Sequence, residues 1–269
     1  MMRGLKSSRP LGTFFRALLF YLSATLIFIG VGSSGIESGN IDTTFVKMAI
    51  AALLTFVLSL IFVRLEGITL AGIGLSFSGH TLQRFLGGSA IGLLMASLQP
   101  VVLLIHGHFH LECVHPSFGI IVFNLLFYLA AACREEITFR GYPFRRLDER
   151  FGPWIAQGIM FVLFALEHKA GGMSWITSFI GAGTGALLFG VAALKSRGLA
   201  LPVGLHFAWN VGQWLWGFKN SPGFWQATVE NGYAAQEEKV GYAVYLLAAG
   251  LAAIGICLYY RNRVNRAVN

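Results

Sequence analysis

Glu135 and Glu136 stand side by side in the run Arg134-Glu135-Glu136-Ile137-Thr138-Phe139-Arg140, which continues an apolar stretch long enough to lie in a lipid bilayer. Even insertion-based scales charge roughly 2.5–3.5 kcal/mol for a charged side chain at mid-membrane, so such residues are functional candidates and need partners. Glu136 and Arg140 are four apart, with the acid N-terminal to the base. They share a helix face in the favourable order and can neutralise each other. Glu135 has no opposite charge three or four residues further on and is the carboxylate left free to act. The bland alternative pairs both glutamates with arginines such as Arg134 and Arg140. Three more polar residues, His168, His206 and Asn210, sit in other apolar segments, and the last two are again four apart on one helix face. One free carboxylate, two imidazoles and one carboxamide suit amide hydrolysis. A glutamate can take a proton from water, a histidine beside it can orient that water, and a second histidine with an amide N–H can donate to the developing oxyanion.

Two rival chemistries use the same residues. Glu135, His168 and His206 can supply three ligands to zinc with water in the open position. HExxH is absent, however, and Glu136, for which Arg140 competes, would be the remaining base. The other rival is not an enzyme: a transporter, immunity protein or scaffold that keeps a polar core for proton movement or for structure.

The elements that position these residues must be membrane helices. The chain has 269 residues, 55% hydrophobic and 12% charged, with a mean hydropathy of +0.66, against about 25% charged residues in soluble domains. A spanning helix needs about 20 apolar residues, so there is room for about eight. The expected fold is an all-α, polytopic membrane bundle with a polar intramembrane active site, in one integral membrane domain over 1–269 with its catalytic core near 118–215. Candidate spans are 13–33, 43–63, 85–105, 118–147, 153–168, 173–194, 198–218 and 240–260. The fourth is too long and polar in its second half, and the fifth and seventh are short or interrupted. Gly181 and Gly185 form a GxxxG pair, read as tight helix packing. The apolar run from Phe14 to Val31 exceeds the roughly 7–15 residues of a signal-peptide core and is read as a first span.

The formal charge of +8 and pI near 9.7 come from basic residues at the ends of apolar segments, the mark of positive-inside orientation and not of nucleic-acid binding. Arg3, Lys6 and Arg9, then Arg64 and Arg84, then Arg145, Arg146 and Arg150, then Lys195 and Arg197, and finally Arg261, Arg263 and Arg266 fall on alternate connections. An even number of spans with both termini cytoplasmic fits, in a cell (inner) membrane. Cys113, Cys133 and Cys257 are scattered and read as packing residues. His106, His108, His110 and His115 crowd the third connection beside Glu112 and Cys113. They can bind a transition metal, but incidental residues of a solvated loop are the expectation.

Depth along a hairpin ties two segments together. Asp148 to Pro153 makes the turn, with proline at a permitted helix start. Glu135 and His168 each lie about 16 residues, roughly 24 Å, from its centre, and so fall at one depth on paired helices.

Glu135-Glu136-x-x-x-Arg140, Phe164-x-x-x-His168 and His206-x-x-x-Asn210, with the flanks Phe139-Arg140-Gly141-Tyr142 and Phe144-Arg145-Arg146-Leu147, resemble the three motifs of the CPBP (Abi) family of CAAX prenyl protease type II-like intramembrane peptidases. The resemblance covers about residues 118–215; the flanking regions match only in hydropathy. It implies a bundle of about eight membrane helices. In it Glu135 is the general base, His168 assists, His206 and Asn210 form the oxyanion hole, and Glu136 with Arg140 is a supporting pair. No cofactor or metal is implied. The implied substrate is a membrane-associated or lipidated peptide or protein met in the bilayer. Some members remove three residues after a prenylated cysteine, and others are linked to bacteriocin immunity or have unknown substrates.

Overall fold

A computed structural model describes residues 10–35, 43–219, 221 and 223–266. Arg3, Lys6 and Arg9 of the basic tail lie outside them.

The protein is an all-helical integral membrane bundle. Helix α1 (Pro10–Gly32) explains why. Leu11, Phe15, Leu19, Leu22, Leu26 and Ile29 recur every three or four residues and are all exposed, while Ala17, Phe20, Tyr21 and Ala24 turn inward. A continuous exposed apolar stripe of this kind belongs against lipid. Helices α2 (Thr44–Glu66), α3 (Thr81–His106), α4 (Phe118–Arg140), α5 (Tyr142–Phe151), α6 (Pro153–Ala170), α7 (Gly183–Ser196), α8 (Ala200–Leu215) and α9 (Ala234–Arg266) follow. Among the described residues six helices are long and apolar enough to cross a membrane: α1, α2, α3, α4 with α5, α7 with the turn before it, and α9. Helices α6 and α8, with 18 and 16 residues, are shorter or less apolar than that and carry His168, His206 and Asn210, so the expectation of about eight membrane helices holds in its approximate form.

The long fourth segment is broken. Gly141 separates α4 from α5 with φ −77° and ψ −124°. A Cβ there would run into the Ile137 carbonyl, and Pro143, in the first turn of α5, lacks the N–H that a continuous helix would use. An uninterrupted span over 118–147 is therefore replaced by two helices. Beyond the break, α5 is tied to α1 and α2. Glu66 bridges Arg16 at 2.6 Å and Arg146 at 2.7 Å, and the rings of Phe20, Phe62 and Tyr142 meet at 5.0–5.2 Å.

Glycine decides where α8 sits. Gly88 and Gly92 of α3 face Leu201 and Leu205 of α8, and Gly204 of α8 faces Phe85, in each case so closely that a Cβ would strike a backbone carbonyl oxygen. Small residues let two membrane helices touch backbone to backbone. The Gly181 and Gly185 pair faces α9: a Cβ at Gly181 would meet Tyr242 at 3.9 Å, and one at Gly185 would crowd the Tyr245 hydroxyl at 3.2 Å. A π-helical turn (Thr177–Ala182) precedes α7. The Tyr242 hydroxyl donates to Thr177 Oγ1 and the Tyr245 hydroxyl to the Gly181 carbonyl, both at 2.9 Å.

The third connection is not a loose loop. Strand β1 (Phe109–Cys113) pairs antiparallel with β2 (Trp225–Val229), Phe109 opposite Val229 and Cys113 opposite Trp225. His108 and His110 both reach the Glu230 carboxylate, at 2.8 and 2.9 Å, and His106 reaches Glu237 at 2.5 Å. The incidental reading of these histidines is thus corrected: three of the four clasp the strand pair and the start of α9. Among the described residues no group of three or more His, Cys, Asp or Glu side chains is arranged to hold a metal ion.

Candidate active site

Helix α4 begins at Ser117, whose hydroxyl accepts the Ile120 N–H, and runs to Arg140. Its last turns carry the charges. Glu136 is fully buried, and its Oε1 accepts from Arg140 Nη1 at 3.2 Å and from His206 Nδ1 at 2.9 Å. Arg140 also donates through Nη2 to the Ala186 carbonyl of α7 at 3.2 Å and lies over the rings of Phe164 and Phe189 at 4.6 and 5.3 Å. The expected Glu136–Arg140 pair is in place and does more than neutralise itself: it fixes the ring of His206. A carboxylate only accepts, so Nδ1 of His206 carries a proton. Phe189 stacks on that ring at 4.5 Å.

Successive helical residues diverge by about 100°, so Glu135 points elsewhere. Its Oε2 lies 3.7 Å from His206 Nε2, and the side chain keeps 17% exposure. Oε2 itself is closed off from solvent and accepts no hydrogen bond. Burial strips water from the carboxylate, and His206, His168, Arg134 and Arg140 are the groups that surround it. Arg134 does not close onto it. Instead it makes a close ion pair with Glu167 of α6 and lies 4.0 Å from the Phe28 ring. This latch joins α4 to α6 one residue away from both Glu135 and His168, bringing the two elements together despite the break at Gly141.

His168 donates Nδ1–H to the Phe164 carbonyl at 2.9 Å, so in the neutral ring Nε2 is the lone-pair nitrogen. The Phe164 ring lies 4.4 Å from the His168 ring and 6.4 Å from the His206 ring. Asn210, one turn beyond His206 on α8, accepts a hydrogen bond at Oδ1 from Lys219 Nζ at 3.1 Å.

These side chains meet a cavity of about 1130 Å³ whose lining includes His168, His206, Asn210, Lys219, Tyr128 and Trp209. Glu135 stands behind this lining, against His206. The structure therefore brings Glu135, Glu136, Arg140, His168 and His206 into one cluster, with Asn210 on the cavity wall. Three residues that sequence reasoning misses or misassigns belong with them. Glu167 is a charge inside an apolar segment and so demands a partner. Arg134, a candidate partner for Glu135 by sequence, serves Glu167. Lys219 is the one lysine or arginine between Arg197 and Lys239. Burial pushes its ammonium below the usual lysine range, with the Glu135 carboxylate acting the other way.

Geometry thus defines a class: a helical membrane protein with paired carboxylates and two imidazoles beside a cavity. Residues 117–212 match the family model described as type II CAAX prenyl endopeptidase Rce1-like, the family that the three motifs resemble. The matched segment runs from the N-cap of α4 into α8 and contains all six motif residues. No curated protein matches the chain.

Proposed function

We propose that this chain is an intramembrane endopeptidase in which Glu135 activates the water that attacks a peptide bond. The observation that carries the reading is the pair of neighbouring glutamates on either side of one imidazole. Glu136 holds His206 at Nδ1, and Glu135 Oε2 stands 3.7 Å from Nε2, too far for a direct hydrogen bond, while the side chain keeps 17% exposure through which its other oxygen can take up water.

In the mechanism, Glu135 takes the proton of that water, with His168 Nε2 helping to orient it. The hydroxide adds to the scissile carbonyl. The oxyanion is stabilised by Asn210 Nδ2–H and by His206, which in this role carries protons on both nitrogens, Nδ1–H to Glu136 and Nε2–H to the oxyanion. Glu135 then passes its proton to the leaving amine. The substrate is a membrane-associated or lipidated peptide or protein that enters the cavity from the bilayer. The enzyme resides in a cell (inner) membrane with both termini cytoplasmic, following the Lys/Arg distribution.

Glu135→Gln keeps size and shape and removes the base. Cleavage should fall by about 10²–10⁴-fold, the usual contribution of a general base, while the thermal unfolding temperature in detergent stays unchanged. Mass spectrometry of membrane proteins from cells with wild-type or Glu135→Gln enzyme reads the substrate directly. Undiminished cleavage by the variant would refute the mechanism, and loss of wild-type cleavage on adding a chelator would favour zinc.

A further inference from the structure

We infer that Lys219, which lies beyond the family-matched segment, is a positioning residue that sets the orientation of the Asn210 carboxamide for catalysis. The inference rests on the peptidase reading given above.

An ammonium group only donates. Lys219 Nζ lies 3.1 Å from Asn210 Oδ1, so Oδ1 is the amide atom turned toward the lysine and Nδ2 is on the opposite side. Among the described residues nothing accepts from that Nδ2, and Asn210 lines the cavity together with His206. A free carboxamide can rotate by half a turn and offer an oxygen where a donor is needed. With Lys219 in place, that rotation would set two N–H donors against each other. The lysine therefore selects the one orientation in which Asn210 can stabilise an oxyanion.

The position of Lys219 is built into the fold. Among the described residues no carboxylate lies within ion-pair distance of its ammonium, which instead stands 5.9 Å from the centre of the Tyr128 ring. The chain just before it is anchored twice. Gly217 adopts φ +77°, and a Cβ there would collide with the β2 backbone. Phe218 donates its N–H to the Gln213 carbonyl at 2.8 Å and stacks its ring on Phe109 of β1 at 5.5 Å.

The test uses full-length protein in detergent and a fluorogenic peptide with a prenylated cysteine followed by three residues. Lys219→Met is expected to lower kcat by about tenfold or more, less than the roughly 10²–10³-fold loss from removing an oxyanion donor itself, with KM nearly unchanged. Lys219→Arg and Lys219→Gln, which keep a donor, should restore most of the rate. Asn210→Ala with Lys219→Met should be no slower than Asn210→Ala alone, because residues that act through one another are not additive. Wild-type kcat in Lys219→Met, a rise confined to KM, or losses that multiply in the double variant would each overturn the inference. If Lys219→Met does not fold, the Arg and Gln variants decide the same question: each keeps a donor for Asn210 Oδ1, and a kcat as low as that of Asn210→Ala in both would overturn the inference. A wild-type enzyme that leaves the peptide intact would remove the peptidase reading and this inference with it. A fully active Glu135→Gln would remove only the role of Glu135.

Discussion

Glu135 and Glu136 are adjacent in sequence and opposite in circumstance. The helix turns one into a paired, fully buried anchor and leaves the other facing His206 with an oxygen that no donor satisfies. Their substitutions should therefore separate cleanly. Glu136→Gln weakens the hold on both Arg140 and His206, and breaking a buried pair costs about 3–5 kcal/mol. The expected result is a lowered unfolding temperature in detergent together with lost cleavage, whereas Glu135→Gln loses cleavage alone. The i, i+4 spacing made the Glu136–Arg140 pair legible in the sequence, since both members sit on one helix. Glu167 and Lys219 were not legible, because their partners lie on other elements. No local spacing announces that Arg134 turns toward α6, or that a connection folds back far enough to reach Asn210.

At the scale of elements, hydropathy located almost every helix, and it failed where the backbone does something local. The end of α4 at Gly141 depends on a site where a Cβ would strike the Ile137 carbonyl and on a proline in the first turn of the next helix. The pairing of β1 with β2 joins segments more than 100 residues apart. The alternation His108-Phe109-His110-Leu111 has the period of a strand, but a single strand without its partner reads as a loop. The seat of α8 is set by glycines whose role is visible only against the neighbouring backbone. Gly204→Val should push α8 off α3 and carry His206 and Asn210 away from Glu135. Overpacking of this kind costs about 1–3 kcal/mol, so both stability and cleavage should drop. Gly158→Ala, on an open face of α6, should be neutral or stabilising. Unfolding temperatures and initial rates of the two variants in detergent check the contrast.

At the scale of the whole molecule, the clasp around Glu230 ties β1 and the residue just before it to the end of β2, beside the His106–Glu237 contact that joins α3 to α9. Two imidazole rings hold the Glu230 carboxyl below its usual range. The carboxylate is fully ionised in the folded state wherever it would be ionised unfolded. Its contribution is therefore complete above the ordinary glutamate value of about 4.3 and fades as pH falls through the lowered one. Amide hydrogen exchange in 109–113 and 225–229, corrected for intrinsic rates, should show constant protection from neutral pH down to that range and a loss below it. Glu230→Gln should flatten the acidic limb.

The strand pair has a consequence for how selectivity can diverge. Phe109, Ala227 and Val229 face the same cavity as His168 and His206, yet β1 ends before residue 117 and β2 starts after residue 212, the limits of the family match. The lining of the cavity thus comes from separate stretches of chain, inside and outside the matched segment. On the proposed peptidase reading, drift in the strand pair can retune which cargo is admitted while Glu135 and the two imidazoles stay untouched, so two proteins built this way can share one chemistry and serve unrelated clients.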